Sequence, residues 1–294
     1  TLMCIIALLH GASYPYALPW ESPLGDGGSA DPYRRSVDLE SNLNFQHSTD
    51  EAATPHTSSQ EMATVVDLDE VRSLSPSIPS YLRDVYNWTY LNPRNVRFLD
   101  NEFVVSFILW GQHRRLQKAT FKEFSPGQRV LQPASVYGDF SAALARHLGE
   151  EGALVVSDIA PIQVATTRRK LKGLQQATAH LADARAPIGA PYDAVCCYFL
   201  LHELPDDYKR EVVDALLNSV GPDGKVVFVD YHKPYWTHPL KAVMSVVYDT
   251  LEPFAKSLWH TEIRDYATDS SGFTWSKETR FGGLYQQVVA ERLR

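Results

Sequence analysis

The stretch from Arg129 to Asp158 constrains this chain more than any other, because it has the pattern of a strand, a sharp turn, a helix and a second strand. An apolar run begins directly after Arg129 and ends near Val136, and residues 141–148 carry apolar side chains at helical spacing. Residues 153–156 form a second apolar run. Two parallel strands joined by a helix make a βαβ unit, in which the turn after the first strand holds a nucleotide-like ligand.

The turn between the first strand and the helix lacks the glycines that usually let a ligand approach the backbone. Ala134 and Val136 occupy two positions where glycine is expected, and only Gly138 remains. Asp158 ends the next strand about 20 residues after Gly138, where an acidic side chain can bind two ribose hydroxyls. The pattern predicts a nucleoside site with an altered turn, and the alternative is an ordinary βαβ turn that binds no ligand.

Strands and helices continue to alternate after this unit, which predicts an α/β fold with a doubly wound, mostly parallel sheet. Further strands are expected at 178–181, 192–200 and 225–229, helices at 160–171 and 206–220, a helical insertion at 235–260 after the fifth strand, and a closing hairpin at 271–281 and 283–290. Because ligands bind beyond the carboxyl ends of parallel strands, one rim should collect a set of polar side chains. These are Tyr137, Asp158, Asp183, His202, Glu203, Asp230 and His232.

Composition divides the chain into three parts. Residues 1–77 are rich in Ser, Thr, Pro, Gly and acidic residues, which predicts a disordered or targeting extension. Residues 78–125 are expected to form a helical cap, and residues 126–294 the sheet domain. Residues 1–72 hold 11 acidic and 3 basic residues, whereas the remainder holds 24 and 25, so the acidity belongs to the N-terminal part. No basic cluster typical of nucleic-acid binding occurs in the sequence.

The predicted cap is dense in aromatic residues, among them Tyr86, Tyr90 and Trp110. Two or three helices are expected, interrupted at residues 92–93 (Asn-Pro) and at Gly111. The aromatic side chains either pack on the core as a structural cap or form a lid over an apolar, aromatic substrate, and the two interpretations are compatible. Basic side chains that follow the aromatic stretch would suit a membrane surface.

The three cysteines are Cys4, Cys196 and Cys197. Adjacent cysteines within an apolar strand do not have the spacing of a zinc site or a disulfide framework. We therefore predict that they are small, buried apolar side chains.

Several stretches resemble proteins of quinone biosynthesis. The order of elements is similar to that of class I S-adenosylmethionine-dependent methyltransferases, and YDAVCCYFLLHELPD and VDYHKPYWTHPL resemble regions of quinone-pathway methyltransferases near the fourth and fifth strands. The segments PSYLRDVYNWTYLNP, VVSFILWGQHRRL and VLQPASVYGDFS resemble the rhodoquinone biosynthesis protein family more closely, and this resemblance covers about residues 78–294. The Val-Tyr-Gly-Asp turn in place of a glycine-rich motif is its specific signal.

Members of that family replace a ring methoxy group of ubiquinone by an amino group. The resemblance implies that S-adenosylmethionine is a co-substrate and amino donor, and that Mn²⁺ is required. It also implies that Asp158 binds the ribose and that Asp183 lies beside the adenine. The cofactor is then expected to contact Ala134, Ser135, Gly138, Asp158, Ile159, Asp183 and Ala184, and ubiquinone to contact Tyr86, Tyr90 and Trp110.

The chemistry of the expected substrate suggests roles for the polar rim. An amine can add to a methoxy-bearing quinone carbon once a base has deprotonated it, and His202 or His232 is the candidate base. Tyr137, in the altered turn, is expected to shift the cofactor so that its amine is presented. A divalent ion on the quinone oxygen would act as a Lewis acid, with Glu203, His202 and Asp230 as candidate ligands. The alternatives are that His202 and Glu203 cap a helix and that Asp230 merely ends a strand.

Two other functions remain open at this point. One is a plain methyltransferase of a quinone or phenolic precursor, and the other is a non-catalytic quinone-pathway subunit that has lost cofactor binding. Because ubiquinone resides in the bilayer, we expect peripheral membrane contact through residues 81–110 and 235–259. The membrane would be the mitochondrial inner membrane in a eukaryote, or the cytoplasmic face of the inner membrane in a bacterium.

Overall fold

The computed structural model describes residues 79–84, Tyr86 and residues 93–294. The predicted extension at residues 1–77, and with it Cys4, lies outside the described residues, as does Tyr90. Among the described residues, no helix is both long and apolar enough to cross a bilayer.

Four short helices precede the sheet: α1 (Ser80–Asp84), α2 (Pro93–Leu99), α3 (Glu102–Ile108) and α4 (His113–Phe121). Asn101 caps α3, because its side-chain oxygen accepts a hydrogen bond from the backbone N–H of Phe103 at 2.9 Å. Gly111 follows α3 with φ +72°, a left-handed conformation that suits glycine. The breaks expected at the Asn-Pro pair and at Gly111 therefore correspond to helix boundaries.

A single seven-stranded sheet forms the centre of the described domain. Its strands are β1 (Arg129–Gln132), β2 (Ala153–Asp158), β3 (Ala177–Leu181), β4 (Tyr192–Tyr198), β5 (Val220–Tyr231), β6 (Phe273–Arg280) and β7 (Tyr285–Arg292), in the order β3-β2-β1-β4-β5-β7-β6. The first five strands run parallel, and β7 pairs antiparallel with both β5 and β6. The helices that connect parallel strands are α5 (Phe140–Leu148), α6 (Pro161–Lys170) and α7 (Asp206–Asn218). This topology confirms the predicted doubly wound α/β fold.

Some element boundaries differ from the sequence prediction. β1 ends at Gln132 and not near Val136, so the altered turn begins earlier than its apolar residues suggest. β5 begins at Val220, where a register shift against β4 admits the Gly-Pro-Asp-Gly stretch before the regular pairing starts at Lys225. The apolar pattern alone does not reveal such irregular pairing, because the extra residues face solvent.

The core lies on both faces of the sheet. Successive side chains of a strand point to opposite faces, so Cys196 packs in the cluster with Val130 and Leu144, whereas Cys197 packs in the cluster with Leu131 and Leu216. Both cysteines are buried and unpaired, which confirms the prediction for these two residues. Burial raises the pKa of each thiol, so neither is a reactive thiolate near neutral pH.

The insertion after β5 contains α8 (Lys241–Thr250), which is followed by two 3₁₀ turns at Ala255–Trp259 and Ile263–Tyr266. Met244, Val247 and Tyr248 are buried in the core, while Val243 and Val246 are exposed. The helix therefore has one core-facing side and one apolar side that faces solvent. Its C-terminal end leads directly to Glu252, a cleft residue described below.

Candidate functional site

A cleft opens beyond the carboxyl ends of β1 to β4, which is where an open parallel sheet binds its ligands. It holds about 1350 Å³ of open space including its mouth, and residues of α1 and α3 form part of its wall. The predicted site residues that line it are Ala134, Ser135, Tyr137, Asp158, Ile159, Asp183, Ala184, His202 and Glu203. The fold thus brings the predicted cofactor residues together, apart from Gly138, which lies in the turn behind them.

Asp158 ends β2, and its carboxylate contacts the backbone of the altered turn. Its Oδ2 accepts a hydrogen bond from the backbone N–H of Ser135 at 2.8 Å, and its Oδ1 accepts one from Ala160 at 2.9 Å. Burial raises the pKa of Asp158, while these backbone donors oppose that shift. An ionised carboxylate offers about four acceptor sites, so both oxygens can still accept ribose hydroxyls.

Asp183, just beyond β3, has a different environment. The guanidinium of Arg185 forms a forked contact with its carboxylate, with Nη2 2.8 Å from Oδ2, and also binds Glu211 at 3.0 Å. The same guanidinium lies over the ring of Tyr208, 4.2 Å from its centre. The charge of Asp183 is therefore already balanced within the protein, whereas Asp158 accepts hydrogen bonds from neutral groups, including those of Ser135 and Ala160.

The altered turn is held by side chains. Lys170, at the end of α6, places its ammonium 2.8 Å from the backbone oxygen of Val136 and 3.1 Å from that of Gly138. The same ammonium lies 2.8 Å from Oδ1 of Asp100, which also accepts a hydrogen bond from the N–H of Gly138 at 2.9 Å. Gly138 has φ +78°, and a Cβ at this position would lie 3.6 Å from Val105. The backbone conformation therefore explains why this glycine remains in the turn.

Tyr137 projects from the turn into the cleft. Its hydroxyl accepts a hydrogen bond from Nε2 of Gln163 at 3.0 Å. Burial raises the pKa of Tyr137, and the negative charges of Glu203 and Asp158 add to that effect. The phenol is therefore neutral at physiological pH and can act as a fixed wall and a hydrogen-bonding group, but not as a phenolate base.

His202 lies in a 3₁₀ turn after β4 and contacts a buried carboxylate. Its Nδ1 is 2.9 Å from Oδ1 of Asp230, which is only 1% exposed at the end of β5. Burial by itself lowers the pKa of His202, but the charge of Asp230 overcomes this and raises it to about 9. The imidazole is thus protonated at neutral pH. This state does not fit the expected general base, because a base must be unprotonated before the reaction.

The candidate metal ligands do not converge. Asp230 contacts the Nδ1 side of the His202 ring, while Glu203 lies on the other side, 3.7 Å from Nε2. Within the described residues, no group of three or more His, Cys, Asp or Glu side chains is arranged to hold a metal ion. The arrangement therefore does not fit a Mn²⁺ site formed by Glu203, His202 and Asp230, because the imidazolium stands between the two carboxylates.

Other predicted residues lie outside the cleft lining. His232 directly follows β5, with Nδ1 2.9 Å from the backbone oxygen of Gly283 and Nε2 3.0 Å from the ammonium of Lys277 on β6. Burial lowers its pKa, so it is a neutral residue that supports this edge. Trp110, two residues beyond α3, packs against the core, and the cleft is lined instead by Val105 and Ile108 of α3 and by Leu109. Tyr86 is buried behind the wall.

Glu252 is a cleft residue that the sequence did not reveal. Its Oε2 accepts a hydrogen bond from the hydroxyl of Tyr86 at 2.8 Å, so Tyr86 contacts a carboxylate that lines the cleft. The insertion holds two acidic residues, Asp249 and Glu252, and the sequence does not indicate which of them faces the cleft. Phe199 was also missed; it follows β4 with φ +53°, which is uncommon for a bulky side chain and marks this rim as specialised.

The charges of the cleft favour a cationic ligand. Four carboxylates line it, namely Asp158, Asp183, Glu203 and Glu252, and they are offset by His202 and by the Arg185 partner of Asp183. A cleft of this sign attracts positive groups and disfavours polyphosphates. The hydroxyl of Tyr198 at its floor is buried and has no hydrogen-bond partner in the part of the chain that the structure describes, so a ligand can supply one.

Comparisons with known proteins point to one fold. Residues 130–224 match a family model described as a methyltransferase domain. The chain superimposes on the structure of the pyocyanin biosynthetic protein PhzM with a TM-score of 0.55 and 14% identity, covering 71% of this chain and 62% of that one. The described domain has the class I methyltransferase-like fold.

Curated relatives come from quinone biosynthesis. The demethylmenaquinone methyltransferase of Shouchella clausii is 25% identical over 170 residues, which is 55% of this chain and 70% of that protein. The ubiquinone/menaquinone biosynthesis C-methyltransferases UbiE of Haemophilus ducreyi and Teredinibacter turnerae are 30% and 32% identical over 117 and 133 residues. These matches cover 37% and 42% of this chain, and the chain spans about half the length of these two relatives, 43% and 52%.

Proposed function

We propose that this protein is an S-adenosylmethionine-dependent transferase that acts on the ring of ubiquinone or a related quinone. The observation that carries the proposal is the position of Asp158, which ends β2 inside an acidic cleft of a class I methyltransferase-like fold. The relatives named for ubiquinone and menaquinone biosynthesis support the choice of acceptor.

The described residues fit the cofactor. Asp158 supplies an acceptor for the ribose hydroxyls, and Ile159 and Ala184 supply apolar surface beside the nucleoside. The net negative charge of the cleft suits the sulfonium and ammonium groups of S-adenosylmethionine. When bound, this co-substrate supplies an activated carbon at sulfur or, in the second reaction below, its amino group.

The acceptor half of the cleft suits a quinone ring. Val105, Ile108 and Leu109 of α3 line one side, and Phe199 and Tyr231 line the sheet side, so a flat apolar ring can be enclosed. His202, held by Asp230, presents a protonated imidazole beside this space. Its Nε2–H can donate a hydrogen bond to a ring oxygen. This hydrogen bond withdraws electrons from an oxidised quinone ring that an amine attacks, whereas in methyl transfer the reduced ring is the nucleophile and the hydrogen bond serves to orient it.

Glu203 is the residue we assign to proton removal. It lines the cleft next to His202, and it replaces the histidines in this role because His202 is protonated and His232 lies outside the cleft. A carboxylate in this position can accept the proton that leaves the attacking group or the ring carbon. No metal is needed to polarise the quinone oxygen when the imidazolium donates to it.

Two reactions share this site. Methyl transfer to a ring carbon is the first candidate, because the relatives are named C-methyltransferases. Addition of the amine nitrogen of S-adenosylmethionine to a methoxy-bearing ring carbon, with loss of methanol, is the second. An elimination in which the bond from nitrogen to the donor's α-carbon breaks and the adjacent carbon loses a proton would then leave the amino group on the ring, as in rhodoquinone. The altered turn favours this reaction, since Ala134 and Val136 carry side chains where a methyltransferase usually has glycines, and Tyr137 lies beside them.

Isotope labelling distinguishes the two reactions. The protein is incubated with ubiquinone or its demethylated precursor and with S-adenosylmethionine labelled either at the methyl carbon or at the amine nitrogen. Label from the methyl carbon in the quinone identifies a methyltransferase, and label from nitrogen identifies the aminating enzyme. The reactions are run with and without Mn²⁺, because the resemblance implies that ion while the described residues offer it no site. If the product carries neither label and calorimetry detects no binding of S-adenosylmethionine, the protein is instead a non-catalytic subunit of the quinone pathway.

We also propose that the protein binds a membrane surface peripherally. Phe98, Phe103 and Phe107 of α2 and α3 are exposed, Phe103 by 86%, and so is Trp236 before α8, by 85%. Exposed aromatic side chains of this kind are costly in water and insert readily at a bilayer surface. The host membrane would be the mitochondrial inner membrane in a eukaryote or the bacterial inner membrane at its cytoplasmic face.

Flotation with vesicles that contain anionic lipid and ubiquinone tests this surface. The wild type should float, and Phe103→Asp and Trp236→Asp should weaken flotation. Leu293→Asp is the matched control, because Leu293 is also an exposed apolar residue but lies at the C-terminus. Wild-type protein that stays wholly in the soluble fraction would refute the proposal.

A further inference from the structure

The altered turn is fixed by one cation and one carboxylate from distant parts of the chain. Lys170 comes from α6, and Asp100 comes from the junction of α2 and α3 in the cap. Their side chains are only 18% and 16% exposed, and their charged atoms lie 2.8 Å apart. A pair so shielded from water is expected to hold a defined geometry, unlike most surface ion pairs.

The pair contacts the turn through its backbone. The Lys170 ammonium binds the backbone oxygens of Val136 and Gly138, and Asp100 accepts the N–H of Gly138. Hydrogen bonds from this pair therefore orient two carbonyl groups and one N–H of the same turn. Since backbone groups of the turn lie next to the cleft residues Ser135 and Tyr137, their geometry decides the shape of the cofactor side of the cleft.

The contacts explain how a turn without its usual glycines remains in shape. Glycine-rich turns adopt the required conformation because their residues can take positive φ values without steric cost. Here only Gly138 takes a positive φ, and the other residues of the turn carry a Cβ. Charged hydrogen bonds from Lys170 and Asp100 can supply the constraint instead, since they are among the stronger hydrogen bonds in proteins.

We propose that Lys170 and Asp100 are positioning residues that hold turn 134–139 in the form that receives S-adenosylmethionine. This inference rests on the proposed function, because it needs the cofactor to bind at the turn. Asp100 belongs to the cap, so the same pair joins the cap to the cofactor turn. A second contact from the cap reaches the turn, because Nε2 of His113 lies 3.8 Å from Oδ1 of Asp139.

The test measures cofactor affinity in matched variants of the full chain. Lys170→Met and Asp100→Ala should each raise the Kd and the KM for S-adenosylmethionine at least about tenfold, because charged hydrogen bonds to the turn are lost. The effect on kcat should be smaller, and Lys170→Arg should restore much of the affinity. Lys172→Met is the control, because it removes the same charge from an exposed residue just beyond the same helix.

A double variant sharpens the test. If the two residues act as one unit, Lys170→Met combined with Asp100→Ala should bind the cofactor about as weakly as either single variant. All affinities are measured by calorimetry at a temperature where circular dichroism shows each variant folded. If Lys170→Met does not fold, Asp100→Asn serves instead, because it keeps an acceptor for the Gly138 N–H and removes only the charge.

The outcomes separate this proposal from the proposed function. Weaker cofactor binding in the variants, with Lys172→Met unchanged, supports the positioning role. If the folded variants bind S-adenosylmethionine with wild-type affinity and only their melting temperature falls, the positioning role is overturned. The proposed function is not affected by that result. A wild type that binds no S-adenosylmethionine would overturn both.

Discussion

The two halves of the cleft are built in different ways. The cofactor half consists of the turn after β1, Asp158 at the end of β2 and Asp183 just beyond β3, so each group lies within a few residues of a strand end. The acceptor half takes His202 and Glu203 from the turn after β4, and Glu252 from the segment after α8. The first half therefore follows from strand order, while the second depends on how distant segments pack.

The halves also differ in their electrostatics. In the cofactor half, Asp183 is ion-paired with Arg185, but Asp158 accepts hydrogen bonds from neutral groups of Ser135 and Ala160, which leaves its charge for a ligand. In the acceptor half, Asp230 contacts His202, and Glu252 accepts a hydrogen bond from the buried hydroxyl of Tyr86. We therefore expect Asp158 to bind the cofactor and the acceptor half to orient groups for chemistry. Variants of the acceptor half should therefore change kcat and leave the Kd for S-adenosylmethionine unchanged, whereas variants of the cofactor half should raise that Kd.

The largest effect is expected from Glu203→Gln in the acceptor half. Loss of the proton acceptor should lower kcat by about 10²- to 10⁴-fold, the usual contribution of a general base, while the Kd for S-adenosylmethionine stays near that of the wild type. Single-turnover kinetics and calorimetry measure the two quantities separately. Glu278→Gln is a control of the same type, because Glu278 is exposed on β6 and ion-paired with Arg280. Unchanged turnover in Glu203→Gln would remove this residue from the chemistry.

The next effect is expected from Asp158→Ala in the cofactor half. Loss of a charged acceptor for ribose hydroxyls should raise the Kd for S-adenosylmethionine by roughly 10- to 100-fold, since a hydrogen bond to a charged group contributes about 1.5–3 kcal/mol. Calorimetric titration measures the change. Asp249→Ala, in which an exposed carboxylate of α8 is removed, should bind like the wild type. Cofactor affinity that survives the loss of Asp158 would disprove the assignment of the nucleoside site.

The smallest effect concerns stability and belongs to His202. Its pKa of about 9 in the folded protein lies above the ordinary value of 6.5, so the stabilisation from its protonated form is fully present below about pH 6.5 and is lost as the pH rises through 9. The melting temperature of the wild type should therefore fall by a few degrees more than that of His202→Gln between pH 6 and pH 10. Parallel curves for the two proteins would show that Asp230 does not hold His202 protonated.

Sequence reasoning found most of the cofactor half because its signals are local. An apolar strand followed by a turn, and an acidic residue at the end of the next strand, place Asp158 and Ser135 in one site without knowledge of any distant contact. The same reasoning chose His202 and Glu203 as rim residues, and both line the cleft. The catalytic roles that it assigned to His202 and His232 stay predictions, although Asp230 raises the pKa of His202 and His232 lies outside the cleft lining. No local pattern indicates either feature, because the pKa of a histidine depends on its packed neighbours.

The rest of the site has no local signal. Lys170 stands at the end of a mostly polar helix without a distinct apolar face, and Asp100 stands between two short helices, so neither neighbourhood indicates that the two side chains meet. Glu252 and Tyr86 are 166 residues apart in the chain and nevertheless form one hydrogen bond. Trp110 was expected at the substrate, yet Val105 and Ile108 of α3 and the following Leu109 line the cleft, whereas Trp110 packs against the core.

The sequence by itself determined the parallel α/β sheet, the altered turn and the acidic residue that ends β2, because these follow from the period of apolar side chains and from the direction of parallel strands. The tertiary structure decided which groups carry charge and where they point. It joined Lys170 to Asp100 and His202 to Asp230, and it separated Glu203 from Asp230 by an imidazolium. These outcomes depend on desolvation and on distances of a few ångströms between segments far apart in the chain, which no local pattern of residues encodes.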